Sequence, residues 1–115
     1  MIDYEELKGK TIQSVELINN DIIEIVLNDN SKYRMYHDVD CCERVYFDES
    51  KSCNLQELIN SKIISIKEES AEYQSDESAT ITTYTFETDK GEHKIVWIGE
   101  SNGYYRETPC FKKIN

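Results

Sequence analysis

The chain has 115 residues with 23 acidic and 13 basic side chains, giving a formal net charge of −10. Because the length matches one domain and no apolar stretch is long enough to span a bilayer, we expect a single domain over residues 1–115 and no membrane segment. The acidic excess disfavours direct binding to nucleic acid or an anionic membrane, since both depend on Lys and Arg. A partner with a basic surface is compatible with this charge, and so is a purely solubilising role for the acids.

Four cysteines bear on the redox state of the protein: Cys41, Cys42, Cys53 and Cys110. The first two are neighbours, so their Cα atoms lie about 3.8 Å apart, closer than the roughly 4.4–6.8 Å of an ordinary disulfide. The sequence also opens without a secretory signal pattern. We therefore expect reduced thiols and a cytoplasmic protein.

Alternating apolar and polar side chains predict a chain rich in β-strands. The pattern places six strands, at residues 11–18, 22–27, 32–37, 63–69, 80–88 and 93–98. The first three are separated by turns rich in Asn and Asp and should form a meander. The last two should form a hairpin around a turn at residues 89–92.

Residues 52–60 are predicted to form a short helix, because three apolar residues within them have i, i+3, i+4 spacing and Ser52 or Asn54 is a suitable N-cap. Residues 70–78 are rich in Ser and acids without apolar periodicity, so we expect an exposed, mobile loop. Residues 99–103 should form another loop, followed by an irregular tail. The expected fold is therefore α+β, a mainly antiparallel twisted sheet of about six strands with one or two short helices.

The densest group of reactive side chains follows the third predicted strand. It contains one imidazole, three carboxylates and two thiols: His37, Asp38, Asp40, Cys41, Cys42 and Glu43. A metal site is one interpretation, because all these residue types are ligands, although the spacing matches no standard pattern. Nucleophilic catalysis by Cys41 or Cys42 with His37 as base is another, although the neighbouring carboxylates favour the protonated thiol.

A structural role for this group is the preferred interpretation. Asp40 is suited to N-cap a helix, and Glu43 stands three residues later at the capping-box spacing. The segment then reads as a strand-to-helix junction in which one cysteine fills the core. His37 and Asp38 are its best candidates for an exposed role.

The second group of candidate binding residues spans residues 97–105. Asn102 and the glycine after it demand a turn with positive φ, and Tyr104 and Tyr105 follow directly. Tyrosine is favoured at binding interfaces because it offers contact area with a polar tip, but packing against a sheet edge is equally compatible. Together with Glu100 and Ser101, these residues form the second candidate site.

Both groups of residues belong to sequence motifs that resemble those of a known family. Residues 35–43 read M-Y-H-x-x-D-C-C-E and residues 97–105 read W-x-G-x-S-N-G-Y-Y, and G-K-T-I stands at residues 9–12. In these motifs the chain resembles a family of small uncharacterised proteins from phages and prophage-bearing bacteria, catalogued as a domain of unknown function. The resemblance implies a phage or mobile-element setting and supplies no reaction. The chain departs from the family pattern at residues 70–78 and in its Pro109–Cys110 tail.

The charge, the aromatic loop and the phage resemblance together favour a non-catalytic accessory protein that binds a host protein with a basic surface. Anti-CRISPR or other anti-defence inhibition in the host cytosol is the specific version, because an acidic surface can occupy a groove built for nucleic acid. We expect no cofactor and no enzymatic activity.

Two alternatives remain open at this stage. One is a protein that sequesters a small molecule or nucleotide signal, with Arg34, Arg44, Lys94 and Arg106 as phosphate ligands. The other is a metal-dependent enzyme built on residues 37–43.

Overall fold

A computed structural model describes residues 4–38, 43–73, 78–101 and 106–115. Within these ranges the chain forms eight strands: β1 (Ile12–Ile18), β2 (Ile22–Leu27), β3 (Lys32–Tyr36), β4 (Arg44–Phe47), β5 (Ile63–Tyr73), β6 (Ser78–Thr88), β7 (Gly91–Ser101) and β8 (Cys110–Lys113). Three 3₁₀ turns accompany them: η1 (Tyr4–Leu7), η2 (Glu49–Lys51) and η3 (Leu55–Leu58). No helix in the described ranges is long and apolar enough to cross a membrane.

The strands form two antiparallel sheets of four, ordered β1-β2-β3-β8 and β4-β7-β6-β5. Their inner faces pack against one core, in which Phe111 of β8 is central. Its ring lies 5.5 Å from that of Tyr84 and 6.3 Å from that of Phe86, both on the opposite sheet. The two sheets therefore form a sandwich that is closed by aromatic packing.

The predicted α+β class is wrong, because the described chain is essentially all β. Residues 52–60 contain only the single 3₁₀ turn η3, whose N-cap is Asn54, with Oδ1 accepting from the Gln56 amide. Ile59 is already extended, and Asn60 has a φ of 68°. Three apolar residues cover little more than one turn, which is too short to overcome the cost of helix nucleation.

The strand predictions are largely confirmed, with β1–β3 forming the expected meander. The predicted loop at residues 70–78 is wrong where it is described, because β5 continues to Tyr73 and β6 begins at Ser78. Pairing with β6 stabilises this polar stretch. One cross-strand hydrogen bond joins Ser70 Oγ to Thr82 Oγ1 over 3.0 Å. The four-residue strands β4 and β8 were missed, since so short a stretch shows little alternation.

Strands β6 and β7 each contain eleven residues, whereas β3 contains five. At about 3.3 Å per residue, each of the two longer strands spans about 36 Å. Residues 106–109, between the last residue of the hairpin and β8, lie against their far end. This end holds His37, Glu43 and Ser101, which belong to the two sequence motifs.

Candidate functional site at one end of the sandwich

The first motif places a buried polar pair at the end of β3. His37 Nε2 lies 3.0 Å from Glu43 Oε2, and the two side chains are 4% and 0% exposed. On its other side, His37 Nδ1 lies 3.2 Å from the carbonyl oxygen of Thr108. A carbonyl oxygen only accepts hydrogen bonds, so Nδ1 carries a hydrogen and donates this bond to the Thr108 carbonyl.

The second motif places another polar group on the inner face of the long strands. Ser101 Oγ donates to Glu107 Oε2, and Thr80 Oγ1 donates to Glu107 Oε1 over 2.7 Å. Glu107 is 9% exposed. Burial raises the pKa of this carboxyl, but hydrogen bonds from Ser101, Ser78 and Thr80 outweigh it, so the pKa lies below its ordinary value of 4.5.

The glycine of the second motif has a steric role. Gly99 lies on the same face of β7 as Trp97 and Ser101, because side chains alternate along a strand. A Cβ atom at this position would lie 1.8 Å from the carbonyl oxygen of Glu107. The absence of a side chain therefore lets the backbone of residues 106–109 approach the strand. Trp97 is fully buried in the core beside this contact.

Residues 106–109 join the two motifs. We call the part of the sandwich where this contact lies the motif end. Glu107 binds the second motif through its side chain, while Thr108 binds the first through its carbonyl group. The pairing of Arg44 with Glu100 places β4 beside the end of β7. The motifs are thus distant in sequence but adjacent in the fold, and a buried polar group of each bonds to residues 106–109.

The predicted site residues divide into three sets. His37, Glu43 and Ser101 are buried and hydrogen-bonded, so the exposed role expected of His37 is not available to its side chain. Asp38 is exposed, and Glu100 is half-buried and accepts a 3.2 Å hydrogen bond from the Tyr46 hydroxyl. Four predicted residues lie outside the described ranges: Asp40, Asn102, Tyr104 and Tyr105.

The predicted strand-to-helix junction is wrong. A helix capped by Asp40 would include Glu43 and Arg44, but β4 begins at Arg44. The apolar alternation of β4 is only four residues long, which is why the capping pattern dominated the sequence signal. The cysteines at 41 and 42 lie outside the described residues.

The described residues give little support to a metal site or a phosphate site. Residues 4–38, 43–73, 78–101 and 106–115 contain no group of three or more His, Cys, Asp or Glu placed to hold a metal ion. The four cations proposed for phosphate binding do not share a site. Arg34 is bonded to Glu24 on the outer face of the first sheet, whereas Arg106 Nε donates to Thr108 Oγ1 at the motif end.

Glu107 is the central residue that sequence reasoning missed. It stands in the stretch expected to be an irregular tail, and no periodic pattern marks it. One signal was available. The motif requires glycine at position 99, and a glycine inside an otherwise apolar strand indicates the close approach of another backbone.

The architecture is that of a small antiparallel β-sandwich protein with a polar, internally bonded end. The chain belongs to a family described as a domain of unknown function, DUF7448, which matches residues 5–111. No curated protein matches the chain, and no solved structure matches it.

Proposed function

We propose that this protein is a non-catalytic cytoplasmic binding protein whose acidic surface engages a basic surface on a macromolecular partner. In a phage or prophage setting the partner is a host defence nuclease, with a CRISPR effector as the specific case. The formal charge of −10 supports a partner rich in Lys and Arg. Electrostatic complementarity of this kind raises the association rate and fixes orientation.

The observation that carries the proposal is the internal bonding of the motif end. His37, Glu43, Ser101 and Glu107 are buried and use their polar groups on one another or on the backbone. A catalytic group must instead reach the reacting atoms of a substrate. The motifs are therefore better suited to fixing the shape of this end than to performing chemistry.

The exposed side chains near the motif end supply the charge for binding. Asp38 follows β3 and is exposed. Glu72 is exposed on β5, where it pairs with Thr80, a ligand of the Glu107 carboxylate. These two acids lie on opposite sheets, so a basic partner that covers the end of the sandwich meets both.

The test is a DNA-cleavage assay with a purified CRISPR nuclease loaded with its guide. Wild-type protein should inhibit cleavage near a 1:1 molar ratio, and the inhibition should weaken as salt is raised. The double variant Asp38→Lys, Glu72→Lys should raise the inhibitory concentration about tenfold or more, because rim charges set the association rate. Glu92→Lys is the matched control, since Glu92 is exposed at the opposite end of β7.

Two results would contradict the proposal. One is a set of nucleases from several defence classes that are neither bound nor inhibited at micromolar protein. The other is binding that Asp38→Lys, Glu72→Lys and Glu92→Lys weaken equally, which would show a diffuse effect of net charge and no defined binding end.

A further inference from the structure

A cleft whose described lining is half apolar and half polar opens between the edge strands β1 and β4. Its volume is about 470 Å³, within the roughly 300–1,000 Å³ typical of binding sites. The walls come from both sheets, with Leu17 on β1 and Phe47 on β4, and Leu55 of η3 lines the cleft beside them. Among the described residues, the cleft shares none with the motif end.

The backbone of β1 carries outward N–H and C=O groups beside this cleft, and η3 packs against the same strand. Lys32 bonds to residues 114 and 115, so its partner Val26 directs its N–H and C=O toward β1. The preceding residue, Ile25, then directs its N–H and C=O away from β1, because backbone groups alternate along an antiparallel ladder. Val15 pairs with Ile25, so the N–H and C=O of Val15 point outward, and those of Leu17 follow by alternation.

The outer side of β1 has backbone partners only at the start of the strand, among the described residues. At the start of β1 the N–H of Ile12 donates to the Ser61 carbonyl, and the Ile12 carbonyl accepts from Asn60. Beyond that point the described residues give Val15 and Leu17 no backbone partner on the outer side. The Leu17 side chain lines the cleft while its backbone faces the open edge. An added strand would therefore place its own side chains over the cleft.

The charge around the cleft restricts what binds there. Glu49 lines it, and Glu57 of η3 is exposed next to the lining residue Gln56. No Lys or Arg belongs to the described lining, and Lys51 of η2 lies 3.5 Å from the Asp48 carboxylate. An anionic ligand is disfavoured, whereas a cationic peptide is attracted.

We propose that this cleft docks an extended segment of a partner protein, in which an apolar side chain is flanked by Lys or Arg. The segment pairs with the outward N–H and C=O groups of Val15 and Leu17 as an added strand. Its apolar side chain enters the space between Leu17, Phe47 and Leu55. Strand addition of this kind draws affinity from backbone hydrogen bonds and specificity from the pocket.

The experiment uses the ¹⁵N-labelled full chain and the amidated peptide Lys-Leu-Lys-Leu-Lys-Leu-Lys. Saturable binding should slow hydrogen exchange at the amides of Val15 and Leu17. It should also change the fluorescence of Trp97, the single tryptophan, whose ring lies 6.2 Å from that of the cleft residue Phe47. A peptide with Glu in place of Lys should not bind.

The variant Leu17→Lys should weaken the Lys-Leu peptide about tenfold or more, since it removes an apolar contact and adds a like charge. Gln13→Lys is the matched control on the same strand, because Gln13 is exposed and does not line the cleft. If Leu17→Lys fails to fold, the exchange measurement on the native chain decides the question alone.

Three outcomes would overturn the proposal. These are no saturable peptide binding, binding without slowed exchange at Val15 and Leu17, and slowed exchange in a peptide-free dimer, which would assign the edge to a second copy of the chain. The proposal is independent of the binding role of the motif end. Asp38→Lys, Glu72→Lys should leave peptide affinity within about twofold, so the two proposals fail separately.

Discussion

The inner face of the long β6–β7 hairpin changes character along its length. In its middle, opposite the first sheet, it presents Tyr84, Phe86 and Trp97, all fully buried. At the motif end the same strands present Thr80 and Ser101, which bond to Glu107. One continuous pair of strands therefore builds both an apolar core and a polar one.

The difference follows from what covers each part. The middle is covered by a whole sheet, whose apolar side chains can exclude water over a wide area. The motif end is covered by residues 106–109, a single backbone segment with polar groups that need partners. Hydroxyls on the strands and the glycine at 99 meet that need. The polar end is thus specified by hydrogen bonds and close approach, and the middle by packing.

The largest expected effect is in the apolar middle. Phe111→Ala removes the ring that contacts Tyr33, Tyr84 and Phe86 across the two sheets. We expect a loss of about 3–5 kcal/mol in the free energy of unfolding, measured by urea titration. Tyr36→Ala is the control, because Tyr36 is half-buried outside the core, and it should cost about 1 kcal/mol. Equal losses would show that the core is not organised around Phe111.

Sequence reasoning succeeded where the local pattern and the fold agree. β2 has the predicted bounds, since Ile23, Ile25 and Leu27 alternate inward over six residues. It failed for residues 70–73, because pairing with β6 holds a polar stretch that has no pattern of its own. It also failed for the expected helix, where apolar spacing reflected two buried leucines, Leu55 and Leu58, on one 3₁₀ turn.

The next largest effect tests close approach at the motif end. Gly99→Ala places a Cβ 1.8 Å from the Glu107 carbonyl oxygen, so residues 106–109 must move. We expect a loss of about 2–3 kcal/mol in the free energy of unfolding, together with large amide shifts for Ser101 and Thr108. Chemical denaturation and ¹⁵N spectra would measure both.

Gly9→Ala is the matched control for this substitution. Gly9 has a φ of 81°, and a Cβ there meets nothing within 4 Å, so only the backbone conformation is strained. It should cost about 1 kcal/mol and leave the motif end unchanged. If both alanines gave the same loss and the same local shifts, the steric role of Gly99 would be refuted.

The candidate site was only partly predictable because it too depends on contacts that no local sequence pattern marks. The two motifs could be found from residue type and spacing, but their contact depends on Glu107 and Thr108, which follow no pattern. A buried histidine and an exposed one have the same letter in a sequence. Only the carbonyl of Thr108 and the carboxylate of Glu43 show that His37 faces inward.

The smallest effect concerns the charge on Glu107. Glu107→Gln keeps the shape of the side chain but replaces a carboxylate that accepts from Ser101 and Thr80. Hydrogen bonds to a charged acceptor contribute about 1.5–3 kcal/mol, and the amide retains part of this, so we expect a loss of about 1–2 kcal/mol at pH 7. Urea unfolding of both proteins across a pH series measures it.

The pH dependence separates charge from shape at this position. The pKa of Glu107 is lowered on folding, so the folded state favours the ionised form. Its contribution is therefore complete above the ordinary value of 4.5 and is lost as the pH falls through the lower folded pKa. The gap between wild type and Glu107→Gln should narrow over that range. A gap that stayed constant down to pH 3 would mean that hydrogen-bond geometry alone, and not the negative charge, holds residues 106–109 against the strands.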